Sequence, residues 1–296
     1  MSEELARLFD SLDSTEDPIN SDIIIRAPFG YPGGKSRSVN HILPLLPHNA
    51  AYVEPFGGTG AVLLARRPST LEVLNDRYMG IVSFYRCIRD PQQLDRLCDR
   101  IEATVHSREE FMWCRDTWEN LDDDVERAAR WLYMIQYSFS QLGRNFGRST
   151  SSKCNISGKL RNRVKEFPYI HQRLKKVQIE NQDWYNCMVD YDSPSTVFYI
   201  DPPYVDAFKG TFKYELTQDD HRRLIDTVFN MQGFCAVSGY SNPLYDEQPW
   251  DDKHSWESYV SVQSQSFTEG NKKQHMRDID KRGKAIEVLW IKEAVG

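Results

Sequence analysis

Along this 296-residue chain, short apolar runs alternate with stretches whose apolar residues recur at helical spacing. Ala51-Tyr-Val-Glu54 and Leu71-Glu-Val-Leu74 read as buried strands. A Gly-rich turn between them leads into a helix from about Gly60 to Ala65, and helical spacing resumes from Tyr78 to Ile88. Another helix opens after the loop Ala27–Lys35 and runs to Ile42. Residues 91–141 read as helical, with Trp131, Met134, Ile135 and Phe139 on one face. From 142 to 166 the period is lost and Gly, Ser, Asn and basic residues take over, which predicts a loop region. Strand pattern returns at Val177-Gln-Ile-Glu180, Thr196–Ile200 and Phe234–Val237, with a helix from about Thr217 to Phe229. A last apolar run, Ala285–Ile291, suits an edge or central strand. Strands alternating with helices predict an α/β fold built on a doubly wound, Rossmann-like sheet. The mainly helical stretch from about 89 to 167 reads as an insertion in it.

Composition changes this picture in two places. No stretch approaches the length of an apolar membrane span, and the acidic N-terminus is unlike a secretion signal. The six cysteines stand far apart, with no CxxC pair, and are expected to be reduced packing residues that form neither a disulfide nor a metal site. The net charge of −6 is uneven. Residues 1–22 hold seven acids against Arg7 and account for all of it, so this polar tail is expected to be mobile. Residues 141–176 hold ten bases against Glu166, a +9 block that suits a phosphate-facing surface.

Three short motifs carry the candidate chemistry. Asp201-Pro202-Pro203-Tyr204 directly follows the apolar run Val197–Ile200. Two prolines fix φ and remove two backbone donors, which leaves a rigid turn with its carbonyls turned outward. An exocyclic amine has two hydrogens to give. Asp201 can accept one and the Pro202 carbonyl the other, exposing the nitrogen lone pair for methylation, while Tyr204 offers a face for the ring. Glu54-Pro-Phe56-Gly57-Gly58-Thr-Gly60 lies where a strand gives way to a helix, as nucleoside cofactors are held. Asp76, at the end of the next strand, is placed to bind ribose hydroxyls. Tyr31-Pro-Gly-Gly-Lys35 joins an aromatic ring to an ammonium that can pair with a carboxylate. Phe29 stands where a phosphate-binding Walker loop requires glycine.

Taken in this order, the motifs resemble the Dam-type, D12-class DNA adenine-N6 methyltransferases over roughly residues 27–291. The resemblance implies a methyltransferase sheet that binds S-adenosylmethionine, formed by residues 23–88 and 168–296, with a target-recognition domain at 89–167. It implies Tyr31, Lys35, Glu54, Phe56, Gly57, Gly58, Gly60, Asp76, Asp183 and Asp201 as cofactor contacts, Asp183 touching the adenine. Asp201, Pro202, Pro203 and Tyr204 would form the catalytic turn. Trp131–Arg144 lines up with the family's recognition hairpin, so that Phe139 is the wedge filling the base stack, Leu142 touches a thymine methyl and Arg144 reads a guanine. Arg148, Lys159, Arg161 and Arg163 would meet phosphates. Ser140 replaces the family's asparagine after the wedge, and Gly30 replaces the basic residue ahead of the aromatic-Gly-Gly-Lys loop.

The expected activity is site-specific methylation of adenine N6 in double-stranded DNA, with a GATC-like target. The chain is expected to be a monomer in the cytoplasm of a bacterial, archaeal or phage-infected cell and to fit a restriction-modification setting. Two nearer alternatives keep the chemistry and change the substrate: cytosine N4 would be favoured by Ser at 201, and a protein glutamine by Asn. A more distant one is a non-catalytic DNA-binding protein on the same fold.

Overall fold

The computed structural model describes residues 25–148, 156, 158–205, 213–259 and 284–295. The acidic tail lies outside these residues, as do Lys153 and Cys154. Two compact units are formed, one by residues 1–34, 58–67 and 78–179, the other by 35–57, 68–77 and 180–296.

The first unit is mainly helical among its described residues. Helices cover Ala61–Ala65, Met79–Arg89, Pro91–Glu102, Arg108–Thr117, Asp124–Gln136, Lys159–Val164 and Phe167–Leu174. Three of them start at side-chain caps: Asp90 accepts from Gln93 N with Pro91 in the first turn, Ser107 accepts from Glu110 N, and Asp123 accepts from Val125 N and Glu126 N. Helix 124–136 packs against the helices 79–89, 91–102 and 108–117 and is buried along Trp131, Leu132 and Ile135.

The second unit carries the sheet. Its strands are β1 (Ala51–Glu54), β2 (Leu71–Asn75), β3 (Val177–Glu180, which enters the unit at its last residue), β4 (Thr196–Ile200), β5 (Phe234–Tyr240), β6 (Asp252–Tyr259) and β7 (Lys284–Lys292). They lie in the order β3-β2-β1-β4-β5-β7-β6, with β1 parallel to both β2 and β4, β4 parallel to β5, and β7 antiparallel to β5 and β6. Helices flank it at Val39–Ile42, Trp184–Asp190, Gln218–Asn230 and Pro243–Asp246. The fold is therefore the expected α/β sheet. Alternate residues of each strand point to opposite faces. Val53, Val73, Phe198, Ile200, Cys235, Val237, Val288 and Trp290 form one face and bury against Trp184, Met188, Leu224, Val228 and Tyr245 from the helices. Each such buried side chain contributes roughly 1.5–3 kcal/mol.

Three expectations are corrected, and one strand, β6, was not foreseen. Helix 124–136 stops before residue 139, because the Ser138 hydroxyl donates to Ile135 O and accepts from Gly143 N, offering the backbone a turn in place of another helical bond. The supposed loop 142–166 contains the helical turn Lys159–Val164. β6 has no apolar period to betray it, since Asp252–Tyr259 is mostly polar and is held by its ladder to β7. Arg173, counted in the basic block, is buried and donates to Leu63 O at 2.7 Å, so it is a structural residue of the first unit.

Cys87, Cys98, Cys114, Cys187 and Cys235 are buried free thiols, each pushed up to about 12, chiefly by burial. Since the thiolate is the reactive form, all five should react slowly with a disulfide reagent at pH 8 in the folded protein. Mass mapping of the labelled sites should find these five labelled slowly in the folded protein and readily after unfolding.

Candidate active site

The chain order of the sheet reverses between β1 and β4. They pair through Ala51↔Thr196, Tyr52↔Val197 and Val53↔Phe198. The Glu54–Gly57 turn and the Asp201–Tyr204 turn, far apart in sequence, thus leave the carboxyl ends of adjacent strands. In open α/β sheets ligands bind at this kind of reversal.

Strand alternation places Tyr52, Glu54, Tyr199, Asp201, Ser238, Tyr240 and Glu287 on the face opposite the apolar core. This polar row is tightly bonded. Lys35, only 4% exposed, sits with its ammonium 2.7 Å from both carboxylate oxygens of Asp201, whose side chain is 18% exposed. Asp201 Oδ1 also accepts from Ser238 Oγ at 2.8 Å, and Ser238 in turn accepts from the Tyr199 hydroxyl at 3.1 Å. Burial alone would lower the Lys35 pKa, but the charge and hydrogen bond of Asp201, with Tyr199 and Glu287, outweigh it and hold the ammonium above its ordinary value. Burial raises the Asp201 carboxyl, against the opposing pull of Lys35 and Ser238. The Lys35 ammonium lies 4.9 Å from the centre of the Tyr204 ring, which meets Tyr240 edge-on at 4.7 Å. Burial, then Asp201 and Glu287, push the Tyr204 phenol far above its usual range, so it stays protonated.

Lys35 is brought here by a local turn: Ser38 N and Val39 N both donate to Lys35 O. Ser38 Oγ donates to the buried carboxylate of Glu287 at 2.6 Å, which ties this turn to β7. Ser38, Tyr199, Ser238, Tyr240 and Glu287 carry no motif, and sequence reasoning missed them. The strand parity of 199 with 201, and of 238 with 240, is the only signal that could have drawn attention to them.

The other expected residues of this unit stand on β1 and β2 and the segment after β3. Glu54 is buried and accepts from the Tyr52 hydroxyl at 2.8 Å. Phe56 stacks on Trp184, with centroids 6.1 Å apart. Gly57 N donates to Asn75 O at 2.6 Å, and a Cβ on Gly57 would lie 2.6 Å from Leu74 Cδ1 and 2.9 Å from Asn75 O, so no side chain fits there. The Asp76 backbone is pinned by Glu180 O and by the Asn181 amide. Asp183 caps helix 184–190 by accepting from Tyr185 N and faces the Arg77 guanidinium at 3.6 Å.

In the first unit, Tyr31 packs near Phe29, Tyr78 and Trp131, and Gly58 and Gly60 take left-handed φ of 50° and 58°. Residues 138–146 form a small hairpin closed by the antiparallel bridge Ser138↔Phe146. Phe139, 59% exposed, stands on this hairpin and not in a helix core. Leu142 is half-buried, and Arg144 and Arg148 are exposed. Arg161 donates to Glu102 O, while Arg163 donates to Ala27 O and pairs with Glu166; Lys159 opens its helix and is half-buried. Among the described residues no group of acidic, His or Cys side chains is arranged to hold a metal, and no helix is long and apolar enough to cross a membrane.

The site can hold an amine-bearing ring: a rigid turn offers a carboxylate and a carbonyl as acceptors, with an aromatic face beside them. Lys35→Met should cost about 3 kcal/mol in urea unfolding, because Asp201 is left buried without its counter-charge. The double variant Lys35→Met/Asp201→Asn should recover most of that loss.

A family model of D12 class N6 adenine-specific DNA methyltransferases matches residues 31–278. A type II methyltransferase of Lactococcus lactis subsp. cremoris is 28% identical over 240 residues, covering 73% of this chain and 82% of that protein. The DNA N-6-adenine-methyltransferase of Escherichia phage P1 is 23% identical over 215 residues, 69% of this chain and 28% of its own length. A DNA adenine methylase of Vibrio cholerae is 30% identical over 121 residues, 40% of this chain and 43% of that protein. With the family match spanning most of the chain and both of its signature turns meeting at the sheet reversal, the protein belongs to the D12 class of N6 adenine-specific DNA methyltransferases.

Proposed function

We propose that the chain uses S-adenosylmethionine to methylate N6 of an adenine rotated out of duplex DNA. The observation that carries this reading is the Lys35–Asp201–Ser238 cluster at the strand reversal. It fixes the carboxylate that must accept one hydrogen of the amine, while the turn fixes the Pro202 carbonyl for the other. Tyr204 stacks on the extruded ring, offsetting part of the unstacking cost. Pro203 stiffens the turn. Lys35 and Ser238 act as orienting partners of Asp201, so most of the catalysis is positioning and electrostatics.

The residues fit the cofactor. Asp76 at the end of β2 is a carboxylate suited to a ribose diol, and the bare backbone at Gly57 lets the β1 turn lie against that strand end. Phe56, stacked on Trp184, would offer an aromatic face, and Glu54 and Asp183 would add carboxylate acceptors. Tyr31, Gly58 and Gly60 enter this reading through the family resemblance alone. When bound, S-adenosylmethionine supplies an electrophilic methyl group on sulfur.

Recognition of the target is assigned to residues 89–167 and catalysis to 23–88 with 168–296. Phe139 would be the wedge, Leu142 would touch a thymine methyl and Arg144 would take a guanine edge, giving a GATC-like site. Arg148, Lys159, Arg161 and Arg163 would lie against phosphates. Arg161 and Arg163 already donate to backbone carbonyls, but a guanidinium carries five N–H groups, which leaves donors to spare. The chain would act as a monomer in the cytoplasm, with or without a partner nuclease.

Mass spectrometry of nucleosides from DNA treated with the protein should find N6-methyladenine. Asp201→Ala should lower its yield at least about a hundredfold. N4-methylcytosine in its place, or a variant with more than about a tenth of wild-type turnover, would refute the assignment.

Arg148 tests the phosphate face. Arg148→Ala should weaken binding to all duplexes alike and flatten the slope of log affinity against log salt by about 0.9. An unchanged slope in a salt titration would remove Arg148 from the DNA surface.

A further inference from the structure

Gln141 occupies a position that its residue type makes costly. Ser140 and Gln141 both take left-handed φ, 53° and 63°, where glycine is the easy choice. Such conformations persist in non-glycine residues only where the surroundings over-determine them. Here they do. Phe139 N donates to Asn145 O at 2.7 Å and Gly147 N to Tyr137 O at 2.6 Å, and Gly143 N bonds the Ser138 hydroxyl. Beneath the hairpin the His106 ring packs on Tyr137 and Phe146 at 4.5 and 4.9 Å.

This backbone lays the Gln141 carboxamide over Gly30. A Cβ on residue 30 would fall 2.3 Å from Gln141 Nε2 and 2.6 Å from Oε1, so the side chain fills the room that a larger residue 30 would take. Gln136 anchors the same backbone from within, donating to Gly30 O at 3.1 Å. The Gln141 carboxamide, half-buried, makes no hydrogen bond among the described residues. It is held by packing, with its donor and its acceptor both available, on the hairpin that also presents exposed Phe139 and Arg144.

We propose that Gln141 reads an adenine of the recognition sequence, its carboxamide paired with N6 and N7 in the major groove. This rests on the duplex-DNA reading above. Gly30 is the positioning residue, because its missing side chain leaves the carboxamide its place.

The test measures base preference as binding to a randomised duplex pool, with methylation of the same pool followed in parallel. Wild type should prefer adenine at one position, and Gln141→Ala should reduce that preference about tenfold while leaving the other positions alone. Gly30→Ala adds a single methyl that pushes only the end of a flexible side chain. It should lose preference at the same position, and the double variant should be no worse than either. An unchanged preference in Gln141→Ala, or a loss at a different position in Gly30→Ala, overturns the inference whatever the methylation result. Preference that follows these variants in a protein that places no methyl on adenine supports the inference and fails the proposed function. A wild type without base preference overturns the inference as well.

Discussion

Parallel pairing of β1 with β4 is the constraint on which the candidate site depends. It sets the Glu54–Gly57 turn beside the Asp201–Tyr204 turn and, through the two-residue period of a strand, decides which side chains share a face. With Val53, Phe198 and Ile200 committed to the apolar core, Glu54, Tyr199 and Asp201 must point the other way. A one-residue slip of β4 would bury Asp201 among Leu224, Val228 and Trp290 and turn Phe198 out of that core. The apolar packing thus guarantees the placement of the polar row, although it takes no part in any chemistry.

That polar row is costly to keep buried. Taking Lys35 and Asp201 out of water costs several kcal/mol per ion, and a well-packed apolar pair of the same volume would be as stable or more so. What the pair gives in return is fixed geometry. Asp201 meets Lys35 through both oxygens and Ser238 through one, so its orientation is set before any ligand arrives. Lys35 is itself restrained by the Ser38–Glu287 hydrogen bond, which ties the loop ahead of the sheet to its last strand. A carboxylate held by three elements needs little reorganisation to accept a hydrogen bond, which is the condition under which electrostatic positioning is worth most.

The strands and several helices were legible because they are periodic, and the helix opening at Thr217 is capped there; the caps Asp90, Ser107 and Asp123, which divide the stretch 91–141 into separate helices, were not read from the sequence. β6 was not legible, since a mostly polar segment is fixed by its partner β7 and not by its own pattern. Phe139 shows the limit of helical spacing. It falls in phase with Trp131 and Ile135, yet Ser138 turns the chain and leaves the ring exposed. The site divides in the same way. Asp201, Tyr204, Lys35 and Asp76 stand in recognisable strings, whereas Ser38, Ser238 and Glu287 come together only through tertiary contact. Even for Lys35 the sequence pointed to an ammonium without its partner: it suggested a ligand carboxylate, and the fold supplies Asp201.

Strain is placed differently in the two units. In the second unit it is avoided: two prolines hold φ in the Asp201–Tyr204 turn, and in the turn after β1 the bare Gly57 fits where Leu74 and Asn75 come close. In the 138–146 hairpin of the first unit it is accepted at Ser140 and Gln141, where glycine would have relaxed the backbone. A turn that must hold Asp201 in one orientation gains from being the low-energy conformation of its own sequence. The space over Gly30 is filled by the Gln141 carboxamide, which glycine at 141 could not supply. Local backbone strain at Gln141 therefore follows from asking a tight turn to carry a carboxamide, and the bridge at Ser138 and Phe146 is what holds it there.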